Sequence, residues 1–131
     1  MFEYQGWVTI LGSYDEDGAP DVGIDEIFEL VKQEVERIKH FEWELGMRYF
    51  NGSPRLWVIG FNNRPAGQWD EIFSLFSLIS KIAPNSYGHL SFYDDELGPG
   101  KSDNYYTYVL RKGSMTLEKD PFLSPLSEKV E

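Results

Sequence analysis

The chain contains no cysteine, which at once excludes disulfides, thiolate metal sites and cysteine nucleophiles. A secreted domain of 131 residues often carries disulfides, so their absence favours the cytoplasm. Basic residues are scarce as well: 12 Lys and Arg stand against 22 Asp and Glu, a formal charge of −10. A surface of that sign is repelled by nucleic acid and by anionic membrane, and it steers cationic proteins toward itself. No long apolar run is present. The longest candidate, 72–83, is interrupted by Ser74, Ser77, Ser80 and Lys81, and is too short and too polar to cross a bilayer. Met1-Phe2-Glu3-Tyr4 offers no basic region followed by an apolar stretch, as a signal peptide would.

What the chain does have is enough to fold. Hydrophobic residues make up 41% and aromatics 16%, too apolar for intrinsic disorder and of a length that suits one domain, 1–131. Residues 2–11 alternate, with Phe2, Tyr4, Val8 and Ile10 opposite Glu3, Gln5, Trp7 and Thr9, the period of a half-buried strand. After turn chemistry over 12–23, Ile24, Ile27, Phe28, Val31, Val35 and Ile38 recur at helical spacing. Strands over 42–50 and 55–62 flank Asn51-Gly52-Ser53-Pro54, a hairpin signal. A second helix spans 69–83, and strands at 87–93 and 104–111 are joined by the Asp/Gly/Pro-rich loop 94–103.

The order β-α-β-β-α-β-β predicts an α+β fold: a mainly antiparallel five-stranded sheet with both helices on one face, a ferredoxin-like variant. Residues 113–131 are expected to be an irregular tail packed on it.

Catalytic chemistry finds little support. Of the two histidines, His40 ends a helix, where it complements the dipole, and His89 lies on a strand face opposite Leu90. No G-x-S-x-G elbow accompanies either. Neither Asp15-Glu16-Asp17 nor Asp94-Asp95-Glu96 has calcium-loop spacing, and Gly98-Pro99-Gly100 lacks the glycine spacing and the helix of a phosphate cradle. The expectation is a non-enzyme with no cofactor, no metal, and neither nucleic acid nor membrane as partner. Oligomeric state is not specified.

The acids are unevenly placed. Residues 1–35 hold nine acids and one base, and 70–96 hold five and one. Asp25, Glu26, Asp70 and Glu71 have a helix-start explanation. Asp15, Glu16, Asp17 and Asp21 in one loop, and Asp94, Asp95 and Glu96 in another, are either solvated loops or contacts to a basic partner. A second candidate surface is the sheet face away from the helices, bearing Trp7, Tyr93 and Tyr105 beside His89, Ser91 and Thr107. The tail, through Phe122 and Leu123, is expected to fold over this face and cover Trp7.

Four segments taken together resemble the immunity protein 7 family of bacterial polymorphic toxin systems. They are Phe2-Glu3-Tyr4-Gln5-Gly6-Trp7, Gly60-Phe61-Asn62-Asn63-Arg64, Ala83-Pro84-Asn85-Ser86-Tyr87-Gly88 and Asp120-Pro121-Phe122-Leu123-Ser124-Pro125. The chain departs from the family at Gln5, around Asn62-Asn63 and after Pro125. The resemblance implies a cytoplasmic antidote to a polymorphic or contact-dependent toxin. It would bind the cognate toxin's C-terminal domain through a basic surface, that domain being in many cases a nuclease, and block it by stoichiometric occlusion. Two alternatives stay open: an acidic DNA-mimic or anti-nuclease regulator of a host protein, and a small-molecule-binding domain with a pocket under His89 and Tyr93.

Overall fold

The structure is a computed structural model. It describes residues 1–14, 20–38, 44–62, 67–96 and 104–125, and of 13, 14 and 20–22 the backbone alone. The elements run β1 (Phe2–Thr9), β2 (Ser13–Tyr14), β3 (Pro20–Val22), α1 (Ile24–Ile38), β4 (Glu44–Phe50), β5 (Ser53–Asn62), α2 (Gly67–Ile82), β6 (Tyr87–Asp94), β7 (Tyr105–Arg111) and β8 (Ser114–Lys119). β2 and β3 form a small ladder of their own, within the stretch expected to be turn.

The main sheet has the order β4-β5-β1-β6-β7-β8, and every neighbouring pair is antiparallel. The expected α+β class with two helices and an antiparallel sheet is found, but the sheet has six strands rather than five. The sixth is β8, inside the segment expected to be irregular. A two-residue turn builds it: Lys112 and Gly113 both take positive φ, 52° and 76°, the geometry that joins twisted antiparallel strands without splaying them. Asn51-Gly52, at 51° and 86°, makes the same turn between β4 and β5. Beyond the turn, Met115 is half-buried and faces the helix side with Leu117, while Ser114, Thr116 and Glu118 face away.

Hydrophobic burial explains the layering. α1 buries Ile27, Val31, Val35 and Ile38, and α2 buries Ile72, Leu75, Phe76 and Ile79. Both stripes meet the same sheet face, where Phe2, Tyr4, Val8, Leu45, Leu56, Val58, Leu90 and Leu110 are buried. At one end of the core the rings of Phe2, Tyr4, Trp69 and Phe92 pack at centroid distances of 5.1–5.9 Å. The Tyr4 ring lies directly against Gly60, where a Cβ would stand 2.1 Å from its Cζ. No helix among the described residues is long and apolar enough to cross a membrane.

Candidate functional site

Both helices lie on one side, so among the described residues no helix covers the other sheet face, and the strand registers fix its pattern in rows. At the Phe2 end of β1, Phe61, Glu3, Tyr93 and Tyr105 lie abreast; the next row carries Glu44, Ile59, Gln5, Ser91, Thr107 and Glu118. A third row holds Trp57, Trp7, His89 and Val109, and the last, at the Thr9 end, holds Arg48, Arg55, Tyr87 and Arg111. The face is therefore polarised: its first two rows contain acids and no base, its last row bases and no acid. Exposed apolar side chains stand among the acids of the first two rows and in the third. Ile59 is 61% exposed, Phe61 60% and Trp7 38%. Exposed together on one sheet face, they make this face the candidate site.

The described part of the tail, 113–125, does not lie over Trp7. Phe122 is 91% exposed, and the turn at 120–124 is tied instead to the start of β7. Asp120 N–H donates to the Tyr105 carbonyl at 2.8 Å. Oδ1 of Asp120 accepts the N–H groups of Phe122 and Leu123 at 2.6 and 3.0 Å. The Ser124 hydroxyl donates to the Tyr105 carbonyl at 3.0 Å and accepts the Tyr105 N–H. The indole of Trp7 packs edge-on against Tyr87 and His89, with the Arg55 guanidinium 5.7 Å above the ring.

The remaining candidates separate. Tyr93 is half-buried and stacks on Tyr105 at 6.5 Å. Tyr105 itself is only 6% exposed, and burial raises its phenol pKa, so it supports Tyr93 rather than meeting solvent. Asp94 is 7% exposed, and its Oδ1 accepts the Glu96 N–H at 2.9 Å, turning the chain out of β6. Asp95 accepts the Met1 ammonium at 2.7 Å, a hydrogen bond that raises the ammonium pKa. Glu96 is exposed. Asp15, Glu16, Asp17 and His40 lie outside the described residues.

His89 is held by its neighbours. Its Nδ1 lies 2.9 Å from the Ser91 hydroxyl, which pairs with Thr107 at 2.8 Å. Burial lowers its pKa from the ordinary imidazole value, with Asp120 opposing. A depression of about 420 Å³ opens between α1 and β4, and neither His89 nor Tyr93 lines it. Among the described residues no cluster of three acids or histidines could hold a metal ion.

Sequence reasoning missed Ile59 and Phe61, the most exposed apolar residues of the face. Their signal was present: β5 alternates strictly, with Leu56, Val58 and Gly60 inward, so Ile59 and Phe61 had to point outward.

Fold and face together define a two-layer α+β protein with one bare, charge-polarised sheet face. The chain belongs to the Immunity protein 7 family, whose model matches residues 1–131, the whole chain. It is thereby placed among the immunity proteins of toxin systems. No curated protein and no solved structure matches it.

Proposed function

We propose that this immunity protein binds the C-terminal effector domain of its cognate toxin and blocks it by stoichiometric occlusion in the cytoplasm, without catalysis. The toxin is proposed to be a nuclease, whose substrate cleft has to be cationic to hold phosphates. The observation that carries the reading is a coincidence at the Phe2 end of the bare sheet face. Ile59 and Phe61 are exposed there beside Glu3 and Tyr93, with Asp95 and Glu96 leaving the same end of β6. Apolar anchors ringed by acids suit a basic cleft: the acids speed encounter, and the anchors, desolvated on docking, slow release. Asp15, Glu16 and Asp17 follow β1 at its opposite end, so only one of the two acidic clusters is proposed to contact the toxin, and charge reversal of each decides which.

Co-expression with the neighbouring toxin gene tests the function. Cells carrying both genes are expected to survive, and Phe61→Ala or the pair Glu3→Lys/Glu96→Lys to lose protection while the protein stays folded. Reversing Asp15, Glu16 and Asp17 in a separate variant weighs the other cluster. Continued killing with the unaltered pair ends the proposal.

A further inference from the structure

Strand β4 is an edge of the sheet: β5 pairs with one side of it, and among the described residues no strand pairs with the other. Which of its backbone groups face outward follows from the hairpin. The two-residue Asn51-Gly52 turn makes Phe50 and Ser53 a hydrogen-bonded pair, so Phe50, Arg48, Gly46 and Glu44 direct their N–H and C=O groups at β5. Leu45, Met47 and Tyr49 direct theirs away from the sheet. The 420 Å³ depression runs along this open side, walled by Lys32, Val35 and Glu36 of α1 and reaching the β4 side chains on both faces. It lies where a further strand would pair.

The charges beside the edge identify the occupant. The molecule carries −10 in all, yet the depression is lined by two bases, Lys32 and Arg48, and two acids, Glu36 and Glu44. In each pair the opposite charges are four residues apart on one element. Arg48 also stands directly across from Arg55, a like-charge pair that is unfavourable, and among the described residues neither makes an ion pair. We propose that the edge binds a second copy of this chain, β4 against β4 across a two-fold axis at Gly46. In that register Glu44 of each copy faces Arg48 of the other on the bare face, supplying a carboxylate that Arg48 does not find among the described residues. Leu45 and Met47 exchange the outward backbone hydrogen bonds, and Lys32 and Glu36 of the two α1 helices approach one another above them. The isologous contact is self-complementary because an antiparallel pairing sets the acidic rows of one sheet beside the basic row of the other. It leaves β1, the Phe61 end of β5 and β6 uncovered, so it stands apart from the toxin reading and does not rest on it.

Sedimentation equilibrium of the full chain, in about 150 mM salt to screen the net charge, tests this. Across about two decades of concentration the mass should rise from 15.2 kDa toward twice that. Glu44→Arg and Arg48→Glu should each weaken association about tenfold or more, because each puts two like-charge pairs across the new ladder. The swap Glu44→Arg/Arg48→Glu should restore it. Both residues are exposed, and circular dichroism confirms that each variant folds. A mass of 15.2 kDa at every concentration overturns the proposal. So does a swap variant as weak as the single reversals. A chain that stays monomeric but loses toxin affinity in Glu44→Arg assigns the edge to a toxin segment and likewise overturns the dimer.

Discussion

Replacing Gly60 by alanine tests the packing that positions the bare face. The Tyr4 ring is 1% exposed and wedged between Phe2 and Trp69, at centroid distances of 5.6 and 5.5 Å. A Cβ on Gly60 would stand 2.1 Å from Cζ of that ring and 2.3 Å from its hydroxyl oxygen, where ordinary contact begins at 3.4 Å. The ring must therefore retreat by about 1.3 Å against Phe2 and Trp69. Overpacking of that kind costs about 1–3 kcal/mol, more than the roughly 0.5–1 kcal/mol alanine gains over glycine in extended backbone. Tyr4→Leu removes the ring tip and, alone, costs about 1–3 kcal/mol through lost burial. The two changes act on the same space, so the double variant should be more stable than additivity predicts by about 1 kcal/mol or more. Urea unfolding at equilibrium reads all three variants. Strict additivity, or a Gly60→Ala variant more stable than the parent, would refute the ring-on-glycine account.

Three other outcomes are expected. His89 has a lowered pKa when folded, so below pH 6.5 the unfolded chain binds the proton more readily and stability falls as pH drops toward the folded value; thermal unfolding between pH 7 and 5 should show a shallower decline in His89→Asn. At the alkaline end, burial pushes the Tyr4 phenol up to about 12 from 10.0, so the unfolded state ionises first and stability falls across that interval; Tyr4→Phe should flatten the loss seen by fluorescence at rising pH. Lys112 pays for its left-handed backbone, and Lys112→Asn should raise stability by about 0.5 kcal/mol in urea unfolding; no gain would mean the β7–β8 turn is not strained at that position.

Much of the fold was legible because its signals are local. Strict alternation in β1 and β5 and the stripes of α1 and α2 each identify an element and its buried side. β8 was not, since Lys112-Gly113 is a weaker turn signal than Asn51-Gly52, and Ser114, Glu118 and Lys119 obscure the inward Met115 and Leu117. The candidate site was less legible still, for a physical reason: the segments that carry the family resemblance mostly hold the fold together. Tyr4 fills the core against Gly60; Ser86 Oγ accepts the Leu11 N–H at 3.0 Å, and Asn85 Nδ2 donates to the Gly12 carbonyl at 3.4 Å. Asp120 and Ser124 tie their turn to Tyr105. Asp94 and Asp95 likewise read as a free acidic cluster in sequence, yet one shapes a turn and the other pairs with Met1. Charge counting along a chain cannot separate a carboxylate with an internal partner from one facing solvent; registers and distances do.

The central claim is that the acidic, apolar end of the bare sheet face meets the toxin. Titration calorimetry of the purified toxin domain against two charge-reversed variants tests it directly. Glu3→Lys/Glu96→Lys should weaken binding by about 2 kcal/mol or more, roughly thirtyfold, while Arg55→Glu/Arg111→Glu, at the far end of the same face, should leave affinity within about threefold of the parent. The reverse ordering, with the arginine variant losing affinity and the glutamate variant keeping it, would contradict the account.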